Sequence, residues 1–261
     1  MSPVHRNTEE ISAVGRAALV LRQFLRPSAR MTPEELVRRT DLPKTTVHRT
    51  VTELVRVGML ERTPTGLQLG TLMFELGQSA PGTRSLREAA RSALADLNRA
   101  TEMNVGLAVL EGTEVVYLDM IVGRNAPLLP QKTGQRWPAH ASCSGKAMLA
   151  FADESVVEHL LSNPLRRLTP ETITEPDLLR RELDDVRRKG AAFDRRESFN
   201  NVAGVAVPIF DYAGKAVAAV SVSGVAGRIN LPRFDMAARA ASLAISRAYT
   251  SGPSTRALRA R

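Results

Sequence analysis

The sequence predicts an α+β protein in two parts, and three observations predict it. Within residues 11–70, three segments carry apolar residues at threes and fours, and two short extended runs around Pro64 and Gly66 follow them. Beyond residue 100, alternating apolar runs come in pairs joined by glycine-containing turns, which is the pattern of antiparallel hairpins. The remaining helical stretches lie in separate runs between and after those hairpins, so they pack against an antiparallel sheet rather than cross over a parallel one.

Taken in order, residues 1–10 lack apolar periodicity and are expected to be mobile. A helix starts at Ala13, with Val14, Ala17, Ala18, Leu21, Phe24 and Leu25 as its apolar stripe and Pro27 as its stop. Thr32-Pro33-Glu34-Glu35 starts a second, short helix. Thr32 is the cap, Pro33 suits the first helical position, and Glu35 completes a capping box. A third helix runs from Pro43 to about Val57, where Gly58 stops it. Met59-Leu60-Glu61-Arg62 and Leu67-Gln68-Leu69 flank Thr63-Pro64-Thr65-Gly66 as a hairpin. Three helices followed by a hairpin is the order of a winged helix-turn-helix, here spanning 11–70. Residues 71–83 form a linker helix with Leu72, Phe74 and Leu76.

The second part spans 84–250 and opens on a helix over 85–101. Strands follow at 104–110 and 114–121 around Glu111-Gly112-Thr113, then at 204–210 and 215–223 around Asp211-Tyr212-Ala213-Gly214. Helices are expected at 144–151, 155–162, 176–190 and 232–249, and 251–261 as a disordered basic tail.

Bulk composition narrows the function classes. At 261 residues and 43% hydrophobic content the chain can bury one or two proper cores. No apolar stretch is long enough to span a bilayer, and the polar first ten residues lack the apolar core of a signal peptide. One cysteine, Cys143, excludes an internal disulfide framework and fits a reducing compartment, so the expected location is cytoplasmic, with no membrane partner. The net charge is +9, and residues 1–70 hold eleven Lys/Arg against seven Asp/Glu. That excess is compatible with a polyanionic partner without requiring one.

The third helix carries the sharper argument. At 100° per residue, Val51 and Leu54 fall within about 40° of Val47 and define a buried stripe. Thr45, Arg49, Thr52 and Arg56 fall on the opposite side, with Thr46 on its edge. Lys44 lies in the first turn, where backbone amides point outward without partners. Such a face suits the major groove of double-stranded DNA. Arginine donates two hydrogen bonds to a guanine edge, threonine offers a hydroxyl and a methyl, and Lys44 with the first-turn amides suits phosphate. The candidate DNA-binding residues are Lys44, Thr45, Thr46, His48, Arg49 and Thr52, with Arg62 and Thr65 on the wing. A basic, threonine-rich face is also compatible with a simple solvated surface. The capped helix, tight turn, reading helix and hairpin in succession favour DNA.

Leu42-Pro43-Lys44-Thr45-Thr46-Val47-His48-Arg49, followed by Leu54, Gly58, Leu60, Glu61 and Leu67-Gln68-Leu69-Gly70, resembles the IclR family of bacterial transcriptional regulators. So does Gly134-Gln135-Arg136-Trp137-Pro138-Ala139-His140-Ala141-Ser142-Cys143-Ser144-Gly145-Lys146-Ala147. The third motif is Ala206-Val207-Pro208-Ile209-Phe210-Asp211 with Ser221-Val222-Ser223-Gly224. Each motif alone is weak, but three in this order over about residues 13–250 are specific. The resemblance implies a GAF-like antiparallel-sheet effector domain and a homodimer or homotetramer on an operator. It also implies a small organic acid effector, with Cys143, Ser144, Asp194, Gly204, Ser221 and Ser223 as effector-binding residues and no cofactor. Gly204 stands where many members have cysteine, and Asn201 where many have glycine. The first departure removes a pocket side chain, which points to a larger or different effector. The second bears on the loop 197–202.

The residues themselves bear on that implication. A helix start at Ser142-Cys143-Ser144-Gly145 suits an anion, and Ser221 and Ser223 share one face of a strand. Equally, Ser142 can simply cap its helix, the two serines can face solvent, Cys143 can be a small buried hydrophobe, and Asp194 can cap a loop. An enzyme is the competing class, through His140, Cys143, Ser144, Lys146 and Asp194. However, there is no Gly-x-Ser-x-Gly elbow, the glycine spacing before Ser144-Gly145-Lys146 is wrong for a phosphate loop, and the four histidines show no paired metal-ligand spacing. A sensor acting only through protein partners is the third class, and the reading helix argues against it.

Overall fold

Capping residues and long-range packing agree on most element starts in the computed structural model, which describes residues 11–25 and 30–252. The expected mobile stretch 1–10, the stop at Pro27 and nearly all of the expected tail lie outside those residues. The chain divides into two units, Met1–Ala80 and Pro81–Arg261, each with its own core.

In the first unit, α1 (Ala13–Arg22) is capped by Ser12, whose hydroxyl accepts from Gly15 N at 3.1 Å, and runs into a 3₁₀ turn over Gln23–Leu25. The capping box starts α2 (Pro33–Thr40): Glu35 N donates to Thr32 Oγ1 at 3.2 Å, and Thr32 N donates to Glu35 Oε2 at 2.9 Å. Such a cap stabilises a helix by roughly 0.5–2 kcal/mol. Helix α3 (Lys44–Arg56) stops before Gly58, whose φ of +77° suits glycine. Strands β1 (Leu60–Thr63) and β2 (Gly66–Leu69) pair antiparallel, Leu60 opposite Leu69, and α4 (Thr71–Ser79) follows. Val20, Leu36, Val47, Val51, Leu54, Leu60 and Leu67 form the core.

The expected stripe of α1 needs correction. Val14 and Leu25 are exposed, at 78% and 51%, whereas Val20 is fully buried. The inward stripe is Ala17, Val20, Leu21 and Phe24, a better match to helical spacing, and Val14, Ala18 and Leu25 form a second, outward apolar face.

The second unit begins with α5 (Pro81–Thr101), which starts four residues before the expected position at 85. Next come β3 (Asn104–Glu111), β4 (Glu114–Ile121), β5 (Arg136–Pro138), a 3₁₀ turn over Ala139–Ala141, and α6 (Cys143–Leu149). After these follow α7 (Glu154–Leu161), α8 (Pro176–Lys189), β6 (Ala192–Arg195), β7 (Val202–Phe210), β8 (Ala216–Val225) and α9 (Leu231–Ser251). Strands β5 and β6 were not expected; at three and four residues they are too short to show a period of two. The six strands form one antiparallel sheet in the order β5-β4-β3-β8-β7-β6.

Alternation assigns the two faces. Val105, Leu107, Val205, Val207, Ile209, Val220 and Val222 pack on one side with Leu94 of α5 and Ile245 of α9. Ala108, Ala206 and Ala219 lie on the other, under Ala147 of α6 and Leu183 of α8. This second face carries small residues, including Gly106, Gly204, Ser221 and Ser223. It is also the face over which a loop closes: Phe199, four residues past β6, stacks on Trp137 of β5 with ring centroids 4.9 Å apart. The loop therefore folds back across the face from the last strand toward the first.

Candidate functional site

Two groups of candidate residues sit one in each unit. On α3, Val47, Val51 and Leu54 are buried as the periodicity requires, which fixes the helix's rotation. Lys44, Thr45, His48, Arg49 and Thr52 are exposed, and Thr46 is half-buried at the edge. Pro43 occupies the cap position and makes no side-chain capping bond, and the first turn holds no acid. Among the described residues its first-turn amides thus lack a side-chain cap, next to Lys44, and the helix end is favourable for a negative group. Helix α2 differs at this point: its first turn carries Glu34 and Glu35. Arg56 shares the outward side but pairs with Glu53 at 2.8 Å, which offsets its charge. Arg49 is exposed and lines a shallow groove between α1 and α3 with Arg16 and Glu53. Arg62 and Thr65 are exposed on the wing.

The second group gathers on the small-residue face of the sheet. Ser221 and Ser223 point to that face; Ser221 is buried and Ser223 half-buried. A Cβ added to Gly106 would lie 2.9 Å from Met120 Sδ, 3.0 Å from Ser221 Oγ and 3.2 Å from Tyr117 Cε1, so these three side chains close over the bare glycine. A Cβ at Gly204 would lie 3.3 Å from Cys143 Sγ and 3.1 Å from Ser223 Cβ. The thiol of α6 thus takes up the space that a larger residue at 204 would need, and the room expected from that departure is filled. Asn201 has no left-handed backbone; in this loop that conformation belongs to Arg196, at φ +70°.

Ser142 caps α6, its hydroxyl accepting from Gly145 N at 3.1 Å, so one of the first-turn amides expected to meet an anion is already bonded. Gly145 has its own reason: a Cβ there would meet Ala139 O at 2.1 Å. Ser144 is fully buried, and among the described residues its Oγ meets no partner at hydrogen-bond geometry, the Tyr117 hydroxyl being its polar neighbour. Burial first, then the charge of Asp194, push the Cys143 thiol well up, opposed by Lys146. Burial likewise raises Tyr117, helped by Cys143 and opposed by the Ser144 hydroxyl. Burial lowers His140, opposed by its Nε2 bond to Arg166 O at 2.9 Å.

Asp194 holds the loop that closes the face. Its carboxylate accepts from Glu197 N at 2.7 Å, from Ser198 N at 3.4 Å and from the Ser198 hydroxyl. Burial pushes its pKa up to about 6, opposed by the Ser198 bond. Two features here were not foreseen from sequence. Lys146, with no exposed surface, donates to both oxygens of Glu197 at 2.7 Å and to Glu182 at 3.0 Å. Thr169 and Thr172 donate to the carbonyls of Arg196 and Glu197, each at 2.7 Å. From sequence Lys146 stood only in the family motif and the competing enzyme reading, and its partner lies 51 positions away in the chain. Trp137 and Phe199, the stacked pair, were also missed.

Family models match the two units separately. A family model described as the IclR helix-turn-helix domain matches residues 13–64, and one described as the bacterial transcriptional regulator IclR C-terminal matches residues 78–247. The HTH-type transcriptional regulator XynR of Escherichia coli is 30% identical over 91% of this chain and 97% of its own length. The HTH-type transcriptional repressor AllR of Salmonella typhimurium is 30% identical over 64% of this chain and 61% of its own. The structure of an IclR homolog from Microbacterium hydrocarbonoxydans, complexed with 4-hydroxybenzoate, superposes with a TM-score of 0.86 at 32% identity, covering 92% of this chain and all of that one.

Proposed function

The chain belongs to the IclR family of bacterial transcriptional regulators, and on that premise we propose how it divides DNA reading from ligand sensing. It is a DNA-binding helix-turn-helix regulator with an effector-binding C-terminal domain, not an enzyme. Among the described residues no helix is long and apolar enough to cross a membrane; its working place is the cytoplasm.

Residues 11–70 bind an operator in double-stranded DNA. Lys44 and the first-turn amides of α3 hold phosphate; Thr45, Thr46, His48, Arg49 and Thr52 meet base edges; Arg62 reaches from the wing. The observation that carries this is the uncapped, acid-free first turn of α3 beside an exposed row of donors. Repression is the favoured direction of control, following the AllR repressor, with activation as the alternative. The protein works as a homodimer or homotetramer, since a palindromic operator needs two reading helices. The outward apolar face of α1 and exposed Phe74 and Leu76 of α4 support pairing of this unit with a second copy.

The effector is a small organic acid bound on the small-residue face against Cys143, Ser144, Gly204, Ser221 and Ser223, with Asp194 holding the loop above it. The 4-hydroxybenzoate bound by the Microbacterium homolog supports an acid. With Lys146 engaged by Glu197 and Glu182, the acid is held by hydroxyl donors, Ser144 and Ser221 foremost. For ligand to alter DNA affinity it must bind the two states unequally; a coupling of about 1–3 kcal/mol changes operator affinity roughly 5- to 150-fold. The test is a titration of DNA from upstream of its own coding sequence, with and without small aliphatic and aromatic acids, alongside calorimetry. Ser221→Ala with Ser223→Ala should abolish the ligand response and leave ligand-free DNA binding intact. Wild-type ligand affinity in that double variant removes these serines from the site.

A further inference from the structure

One basic residue of the first unit belongs to neither the reading helix nor the hairpin, yet the fold carries it to the tip of the wing. Met31 pairs with Leu67 across the strand β2, with Met31 N donating to Leu67 O at 3.1 Å and Leu67 N to Met31 O at 2.9 Å. The segment before α2 is thereby tied to the hairpin by a single antiparallel bridge. Gly66 makes this approach possible: its φ is +134°, and a Cβ there would lie 2.8 Å from Met31 O. One residue outward, exposed Arg30 donates from Nη1 to Thr65 Oγ1 at 3.1 Å. The turn beneath is itself braced, Thr63 Oγ1 donating to Gly66 O at 3.0 Å and lying 3.4 Å from Thr65 Oγ1.

The guanidinium is therefore positioned at the turn by one of its five N–H groups, and among the described residues the others make no hydrogen bond. Among the described residues it forms no ion pair, unlike Arg56 on α3. An exposed planar cation held by a neutral hydroxyl, with no counter-acid among the described residues, is suited to a phosphate oxygen pair. We propose that Arg30 is a DNA-backbone contact, with Thr65 as its positioning residue, so that the wing grips phosphate from a segment that precedes α2. This rests on the reading that the first unit binds DNA.

The experiment is a salt titration of binding by the full chain, to the duplex from upstream of its own coding sequence and to a scrambled duplex. Arg30→Ala should weaken both duplexes by a similar factor, roughly three- to tenfold, and lower the slope of log affinity against log salt by about 0.9. Arg30→Lys should restore most of the slope. Thr65→Val should weaken both duplexes less than Arg30→Ala does while leaving the slope near wild type, because the charge stays. Thermal melting confirms that each variant is folded, as expected for exposed positions. An unchanged slope in folded Arg30→Ala overturns the inference, and so does a loss confined to the specific duplex, which would mean a base contact. Lys44→Ala run in parallel separates the two levels. If it lowers the slope and Arg30→Ala does not, only the wing contact fails; if neither does, the DNA reading of the unit fails with it.

Discussion

The polar groups of α3 and those around Lys146 differ in one physical respect that governs both. On α3, Lys44, Thr45, His48, Arg49 and Thr52 are exposed, and the first-turn amides have no side-chain cap. Water satisfies such groups at little cost until another molecule replaces it. Around Lys146 the ammonium, Glu197, Asp194, Thr169 and Thr172 are buried, and the chain itself satisfies them. A buried donor or acceptor left without a partner costs roughly 1–3 kcal/mol, and a charge costs more. Change in the first region should thus alter what the protein binds, and change in the second whether the sensor unit stays folded.

The largest expected effect tests the buried side. Lys146→Met leaves the Glu197 carboxylate, only 4% exposed, without its cation. The second unit should lose about 3–5 kcal/mol, read as a lower urea midpoint. Adding Glu197→Gln removes the stranded charge and should recover a large part of that loss. A midpoint unchanged by Lys146→Met would mean that the cluster is not the support described here.

A pH series sharpens the same side. Because the folded pKa of Asp194 is raised to about 6, above the ordinary carboxylate value, the native state holds the proton more tightly than the unfolded chain. The stability this group contributes is fully present below about pH 3.9 and is lost as pH rises through about 6, on the order of up to 3 kcal/mol. Asp194→Asn should flatten that part of the urea-midpoint profile between pH 4 and 7. A wild-type profile as flat as the variant's in this window would contradict it.

The exposed side should respond in binding alone. Arg49→Ala should cost about 1–3 kcal/mol in operator affinity, relax specificity at one position, and leave thermal melting as it was. If melting fell and affinity did not, the contrast between the regions would be reversed for this residue.

Local rules were enough wherever the partner lies within one turn or one hairpin. Thr32 and Glu35 start α2, Val47, Val51 and Leu54 orient α3, and Gly112 and Gly214 sit at hairpin turns with φ of +65° and +76°. In each case the spacing in the chain is the spacing in space. That made the winged helix-turn-helix, the exposed row on α3 and the two long hairpins legible. The inward side of α1 was harder, because Ala17, Val20, Leu21 and Phe24 compete with a second apolar row, Val14, Ala18 and Leu25, and only packing chooses between them.

What the tertiary structure alone decided is everything that depends on residues far apart in the chain. A period of two puts Ser221 and Ser223 on one side of β8, but it cannot say which side meets α6. The sheet order and the burial of Val220 and Val222 beneath α5 and α9 decide that. The filling of the space beside Gly204 by Cys143, the bond from Lys146 to Glu197, the stacking of Phe199 on Trp137, and the placing of Arg30 beside Thr65 all join segments tens of residues apart. The sequence determined which local elements form, because helices, caps and turns are fixed by neighbours. Which side chains meet was left to the fold, because burial is shared by the whole core and a local pattern records only that a residue is apolar or polar, not what it will touch.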